Sequence, residues 1–327
     1  MSVLITGGAG YLGSHMARLL QDTGRQVVVY DNLSTGHRKA VTAPFVQGDL
    51  FDTPTLMQAF ETYGVTSVIH FAANSLVAGS MANPAKYYHN NVSGTLNLLR
   101  CMIDANVKHL VFSSTAAIYG IPVTTPITED MPKAPISVYG RTKWMIEQML
   151  ADFDMAYGLK SVALRYFNAA GAYPSGELGE DHQPETHLIP LVIRTILDGT
   201  NVPTISGVDY QTPDGTNIRD YIHVMDLCDA HIKALDALEA GAQSTAYNLG
   251  NGTGFSVREM VEIVSQVTGR KLMPIEGPRR PGDPDILVAS SARIRDELGW
   301  TPQRTDLADI VASAWKWHSA HPNGYAG

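Results

Sequence analysis

Two cysteines, Cys101 and Cys228, are all that 327 residues carry. That is too few for a disulfide framework or a thiolate metal centre, and it suits a reducing compartment. The chain also lacks any concentration of positive charge. Its formal charge is −8 and its 24 Lys and Arg residues are scattered, whereas phosphate backbones require a dense basic surface, so no nucleic-acid partner is expected. No apolar run reaches the length needed to cross a bilayer, so no membrane partner is expected either. The opening run Val3-Leu4-Ile5 stops at glycines without a basic segment before it, which argues against a secretory signal and for the cytoplasm.

What is present is an ordinary globular composition, 44% hydrophobic and 17% charged, over a length that favours two cooperating lobes. Short β-branched runs at 3–6, 27–30, 44–47, 67–72, 109–114 and 161–167 alternate with helical patterns near 12–22, 54–63, 84–105 and 137–157. Such alternation implies parallel strands with crossover helices on both faces: an α/β, doubly wound parallel sheet of the Rossmann type. Thr53-Pro54 predicts a helix start with a hydroxyl cap and proline at the first helical position. After residue 168 the texture turns to loops rich in Gly, Pro and acidic residues. A helix near 187–198, a strand and helix near 219–238 and a helix near 256–268 follow. The expected division is a dinucleotide-binding lobe over 1–168, joined by the returning strand and helix near 219–238, and a smaller α/β substrate lobe over 169–327.

The stretch VLITGGAGYLGSH (3–15) leaves a buried strand, passes four glycines and enters a helix. Gly7, Gly10 and Gly13 are spaced by three. Without Cβ atoms the turn can be tight, a diphosphate can approach the backbone, and the free N–H groups at the helix start receive its charge. The second strand ends at Asp31, eighteen residues beyond Gly13. A carboxylate there accepts hydrogen bonds from both ribose hydroxyls and repels a 2′-phosphate, which favours NAD over NADP. Asp49, after the third strand, falls on the adenine side.

The fifth strand ends VFSSTAAIYG (111–120), which places Ser113, Ser114 and Thr115 where parallel sheets bind ligands. The next helix carries Tyr139 and Lys143, four residues apart and so on one face. A phenol facing a nicotinamide is a candidate base for a substrate alcohol. Free tyrosine titrates near about 10, and bringing it to neutrality takes about 4 kcal/mol of differential stabilisation, which a neighbouring lysine cation and the positive ring can supply.

These motifs belong to a longer set. It includes TGGAGYLGSH (6–15), YDNLSTGHR (30–38), HFAANSLVAGS (70–80), FSSTAAIYG (112–120), YGRTK (139–143), LRYFNAAGAYPSG (164–176), DGTNIRDYIHVMDL (214–227) and RRPGD (279–283). Through them the chain resembles, nearly end to end, the extended short-chain dehydrogenase/reductase family, and within it the UDP-glucose (UDP-galactose) 4-epimerase branch. The resemblance implies that Tyr139 takes the proton of the sugar 4-hydroxyl as C4 is oxidised by NAD. The 4-ketose then turns over, and reduction from the other face gives the inverted alcohol. Thr115 would bond the 4-oxygen and Lys143 the nicotinamide ribose. The family pattern assigns the cofactor further contacts from Tyr11, Leu12, Asp31, Asn32, Ser34, Gly36, Asp49, Leu50, Phe71, Ala72, Asn90 and Phe167. It assigns the nucleotide sugar to Asn168, Leu188, Arg219, Arg280 and Asp283. A helix pair matching 84–105 and 137–157 forms a dimer contact in the family, so a homodimer is expected.

Three positions depart from some members of the family. Ser75 stands near the cofactor where others have lysine. His187 takes a place often held by asparagine and reads as a substrate contact, not a metal ligand, despite His182 five residues away; no metal is expected. Leu287 occupies a pocket position whose size influences whether an N-acetylated sugar fits. A 4,6-dehydratase is disfavoured because Ala116-Ala117 follow Thr115 where that chemistry needs an acidic pair. Two alternatives stay open: a 4-epimerase of another UDP-sugar (UDP-N-acetylglucosamine, UDP-xylose or UDP-glucuronate) and, more remotely, a non-catalytic NAD sensor.

Overall fold

Alternate residues of the first strand, Ser2–Thr6, enter different cores. Val3 and Ile5 pack on one side of the sheet with Met16, Leu20, Leu227 and Leu235, while Leu4 packs on the other with Leu56, Leu98, Leu99 and Ile146. A strand apolar on both faces must be covered twice, which is the reason for helices on both sides. The computed structural model describes residues 2–199, 204–279 and 283–326.

Seven parallel strands form the main sheet. In spatial order they are Thr245–Asn248, Lys160–Arg165, His109–Ser113, Val65–His70, Ser2–Thr6, Gln26–Asp31 and Phe45–Gln47. The order reverses between Ser2–Thr6 and Val65–His70, and such switch points open a crevice at the carboxyl ends of the strands. Helices Tyr11–Asp22 and Val224–Glu239 cover one face, and Thr53–Thr62, Gly94–Asp104 and Val138–Tyr157 cover the other. A third core joins helices Leu188–Asp198, Val257–Thr268 and Leu307–Ala320 in the C-terminal half. Among the described residues, no helix is long and apolar enough to cross a membrane.

Local details differ from the expected elements. Thr53 is not the cap of its helix; Asp52 is, and its carboxylate accepts the Thr55 N–H at 3.2 Å. The aspartate wins because its charge also suits the positive end of the helix. The helix expected over 84–105 contains a π-helical turn, Tyr88–Ser93, between Pro84–Tyr87 and Gly94–Asp104. The strand expected near 219 is two short pieces. Ile218–Arg219 pairs with Phe255–Ser256 and Ile286–Leu287, and Tyr221–His223 pairs with Asn168–Ala170. The strand that returns to the main sheet is Thr245–Asn248.

The helix carrying Tyr139 is pinned to the sheet by a buried ion pair. Arg165 donates to Glu147 through Nε at 3.0 Å and Nη2 at 2.5 Å, and Glu147 also accepts the Ser114 hydroxyl at 2.5 Å. Removing one buried partner strands the other, at about 3–5 kcal/mol, whereas replacing both by apolar groups is often nearly neutral. Arg165→Met should therefore lower the urea midpoint sharply, and Arg165→Met with Glu147→Leu should recover most of that loss. Equal destabilisation by the single and double variants would contradict this account.

Candidate active site

The crevice at the switch point is built from close backbone approaches. A Cβ on Gly13 would strike the Gly7 carbonyl, and one on Gly36 would come within 2.9 Å of the Ala9 backbone. Gly7 sits at φ +69° and donates its N–H to the Tyr30 carbonyl at 2.9 Å. Phe71 and Ala72, at the end of Val65–His70, close the other wall; a Cβ on Gly7 would lie 2.6 Å from the Ala72 nitrogen. The glycines thus keep the turn flush against both strands and leave Gly10, just ahead of helix Tyr11–Asp22, to present the helix start.

Asp31 is buried and held by two backbone donors, Ala9 N–H at 2.9 Å and Leu33 N–H at 2.7 Å. Burial raises its pKa, and these bonds oppose the rise. Asn32 donates to the Asp49 carboxylate at 2.7 Å and accepts the Ser34 N–H at 2.9 Å. The loop 31–36 therefore forms a polar rim facing Asp49, with Leu50 buried behind it. This geometry fits a dinucleotide: a Cβ-free cradle for the diphosphate and an oriented carboxylate for the ribose.

Asn90 lies in the π-helical turn and donates to Asn91 at 3.0 Å. Asn91 was not expected to matter, yet it is fully buried. It accepts the Asn74 N–H at 2.8 Å and donates to the Asn74 carbonyl at 3.0 Å and to Thr142 at 3.1 Å. It ties the loop after Phe71-Ala72 to the Tyr139 helix. Ser75, in that loop, is exposed.

Ser137 caps the helix Val138–Tyr157 by accepting the Gly140 N–H at 3.0 Å. Its first turn brings the Tyr139 phenol beside the Thr115 side chain. One turn on, Lys143 is buried, donates to the Ser113 carbonyl at 2.7 Å and lies 5.9 Å from the Tyr139 ring centroid. Burial pushes the Tyr139 phenol up to about 12, against the lowering effect of Thr115. Burial likewise pulls the Lys143 ammonium down to about 7, against the raising effect of Glu147. Of the two cations expected to favour phenolate, Lys143 and the oxidised nicotinamide, the lysine is itself disfavoured by burial, as is the phenolate. Phenolate needs further positive charge, which an oxidised nicotinamide carries.

Across the crevice, Asn168 donates to the Asp220 carbonyl at 2.9 Å. Phe167 and Leu287 pack on one small cluster with Ala116, Ile118 and Tyr119. Leu287 lies in register with Arg219 on paired strands. Arg219 is bound to the Asp283 carboxylate and to the Pro284 carbonyl at 3.0 Å, and Asn217, which the sequence did not single out, donates to Asp283 at 2.8 Å. Arg280 lies outside the described residues. Leu188 opens helix Leu188–Asp198. His187, just before it, is engaged by Glu180 in place of facing the crevice unpartnered.

With this geometry in place, comparisons with known proteins are decisive on class. Residues 3–250 match the NAD dependent epimerase/dehydratase family, and the chain belongs to that family. It is 52% identical to the UDP-glucose 4-epimerase of Streptococcus mutans, over 99% of each chain. Among solved structures it is similar to a UDP-glucose 4-epimerase at 50% identity and a TM-score of 0.98, over 99% of each chain. It is also similar to the UDP-glucose 4-epimerase of Brucella ovis in complex with NAD, at 48% identity and a TM-score of 0.94, over 96% of this chain and 97% of that one.

The depressed Lys143 has a measurable consequence. Its folded pKa, about 7, lies below its ordinary value of 10.5. The unfolded chain therefore holds the proton more tightly between those limits, so the group costs stability in full below pH 7 and the cost fades as pH rises toward 10.5. In the cofactor-free protein, Lys143→Met should be more resistant to urea than the parent at pH 6, and the two should converge by about pH 10. A constant gap across that range would show that burial is not the source.

Proposed function

We infer that the chain interconverts UDP-glucose and UDP-galactose by NAD-dependent inversion at C4 of the hexose. The observation that carries this reading is the placing of the Tyr139 phenol beside Thr115, one helical turn from buried Lys143, at the carboxyl ends of the strands. A cofactor sensor would need the glycine turn but not this cluster. Ala116-Ala117, in the turn after Thr115, leave the adjacent positions without the acid pair that a dehydratase uses.

NAD, when bound, supplies the acceptor and then the donor of the C4 hydrogen. The glycine turn and the start of helix Tyr11–Asp22 hold its diphosphate, and Asp31 takes the adenosine ribose hydroxyls. Tyr11 and Leu12 back the turn; Asn32, Ser34, Gly36, Asp49 and Leu50 surround the adenosine. Phe71, Ala72, Ser75, Asn90 and Phe167 line the remaining length toward Lys143. Tyr139 removes the proton of the sugar 4-hydroxyl and later returns one to the ketone oxygen. Thr115 bonds the same oxygen and keeps it within reach of the phenol. Lys143 adds positive charge near the phenolate and binds the nicotinamide ribose.

On the substrate side, Asn168, Leu188 and Arg219 meet the nucleotide, with Arg280 as a second guanidinium for the diphosphate. Fork-shaped donors suit paired phosphate oxygens. Asp283 keeps Arg219 in place, His187 stands at the edge of the uridine site, and Leu287 sets the depth of the sugar pocket beside Phe167. The division of labour follows the two lobes, 1–168 with the returning helix, and 169–327. Two free, buried cysteines support a reducing, cytoplasmic setting.

Purified protein should convert UDP-glucose to UDP-galactose, and Tyr139→Phe should keep its cofactor while losing about 10²–10⁴-fold in rate. Near-normal turnover by that variant would remove Tyr139 from its role.

A homodimer through helices Gly94–Asp104 and Val138–Tyr157 completes the proposal. Leu96 and Met145 stand 41% and 43% exposed on them, apolar surface that a second copy would cover. Leu96→Glu with Met145→Glu should shift the mass seen by light scattering from dimer to monomer. A monomeric parent at micromolar concentration would rule the contact out.

A further inference from the structure

Between the crevice and helix Leu188–Asp198 runs the loop EDHQPETH (180–187). Within it Glu180, His182, Glu185 and His187 point one ligand atom each toward a common centre, all four within 4.8 Å of one another. The two imidazole rings stand perpendicular with centroids 5.2 Å apart. Their Nδ1 atoms both turn to the same Glu180 oxygen, His182 at 3.2 Å and His187 in direct hydrogen bond. His182 Nδ1 also lies 3.7 Å from Glu185 Oε1.

One feature resists explanation as a network of ion pairs. The Glu185 side chain is 2% exposed, and its Oε2 is buried with no hydrogen-bond partner. Leaving a carboxylate oxygen dry and unpaired is costly. Glu180, 4% exposed, brings a second buried carboxylate to the same point. Two nitrogen and two oxygen ligands with two negative charges form the donor set of a borderline divalent cation. Calcium and magnesium prefer oxygen alone, whereas imidazole with carboxylate suits zinc.

We propose that Glu180, His182, Glu185 and His187 form a structural zinc site. Tetrahedral zinc with bonds of about 2.0–2.2 Å has ligand atoms roughly 3.3–3.6 Å apart. To reach that value the His182–Glu185 separation of 3.7 Å closes slightly, and the contacts of Glu180 with His182, 3.2 Å, and with His187, closer still, open as the cation enters between them, by shifts within an eight-residue loop, 180–187. Both His182 and Glu185 have a second anchor: the His182 ring meets Tyr11 edge-on at 6.4 Å, and Glu185 Oε1 accepts the Thr186 and His187 N–H groups at 2.8 and 2.9 Å. Zinc therefore clips the entry to helix Leu188–Asp198 and sets His182 against the tyrosine that begins the glycine-turn helix. His187 binds zinc through Nδ1, the atom that already turns to Glu180, and the proposal rests on no step of the reaction assigned above.

The test uses the full-length, tag-free protein. Chelator-treated protein titrated with Zn²⁺ against a chromophoric competitor should bind one equivalent with submicromolar affinity, and its thermal midpoint should rise, reversibly on re-adding chelator. His182→Asn and Glu185→Gln should each weaken binding by about 100-fold or more, while His89→Asn, at an exposed histidine elsewhere, should bind as the parent does. Circular dichroism on each variant separates loss of binding from loss of fold. Should either variant fail to fold, hydrogen exchange of the parent decides: residues 179–190 should gain protection with zinc. The proposal is overturned if the parent shows no saturable zinc binding up to about 100 μM, if the ligand variants bind as tightly as the parent, or if zinc leaves exchange in that loop unchanged. In any of these cases the cluster is an imidazolium–carboxylate network only.

Discussion

Three side chains down one line of a helix set the electrostatics of the crevice. Tyr139, Lys143 and Glu147 are spaced by four and face the sheet together. At the bottom, Glu147 is neutralised by Arg165 and bonded by Ser114. In the middle, Lys143 is held by a strand carbonyl, and its charge is favoured by Glu147 one turn below. At the top the phenol meets Thr115. A buried ammonium is unstable by itself. It persists here because the carboxylate below it is fixed, and the whole stack is anchored in the ends of two neighbouring strands. Fold stability and the charge state of the crevice are thus linked through one column of charge.

The C-terminal half is oriented by backbone registry. Asn168 begins a short strand pairing with Tyr221–His223, and its side chain bonds the Asp220 carbonyl. Asp220 in turn accepts the Asn251 and Ala289 N–H groups at 2.8 and 3.0 Å. One buried aspartate therefore gathers three segments distant in sequence, and the pairing of Ile286–Leu287 with Ile218–Arg219 sets Leu287 beside Arg219.

Much of this was legible in the sequence, for physical reasons. The first six sheet strands announce themselves because parallel strands covered on both faces are continuous apolar runs. The glycine turn and Asp31 are local features fixed by one strand–turn–helix unit. What stayed hidden depends on distant partners. Thr245–Asn248 has only one hydrophobic stretch too short to distinguish from a loop, and its role is set by Lys160–Arg165. Asn91 looks like any surface asparagine until the π-helical turn swings it under Asn74. Helix Leu307–Ala320, absent from the elements expected, is capped by Asp306 and packs two other helices. The four residues of loop 180–187 were visible singly, but histidines five apart in a loop carry no face until the fold gives them one.

Tyr11 sits at the start of the first helix, yet its hydroxyl donates to the Gly171 carbonyl at 2.7 Å, in the segment that leads into the C-terminal half. Nearby, Tyr173 reaches back to Asp22 at the far end of the same helix. The floor of the crevice and one of its banks are therefore stitched together at both ends of a single helix. Any hinge that moved that segment away from the helix would have to break both hydrogen bonds first.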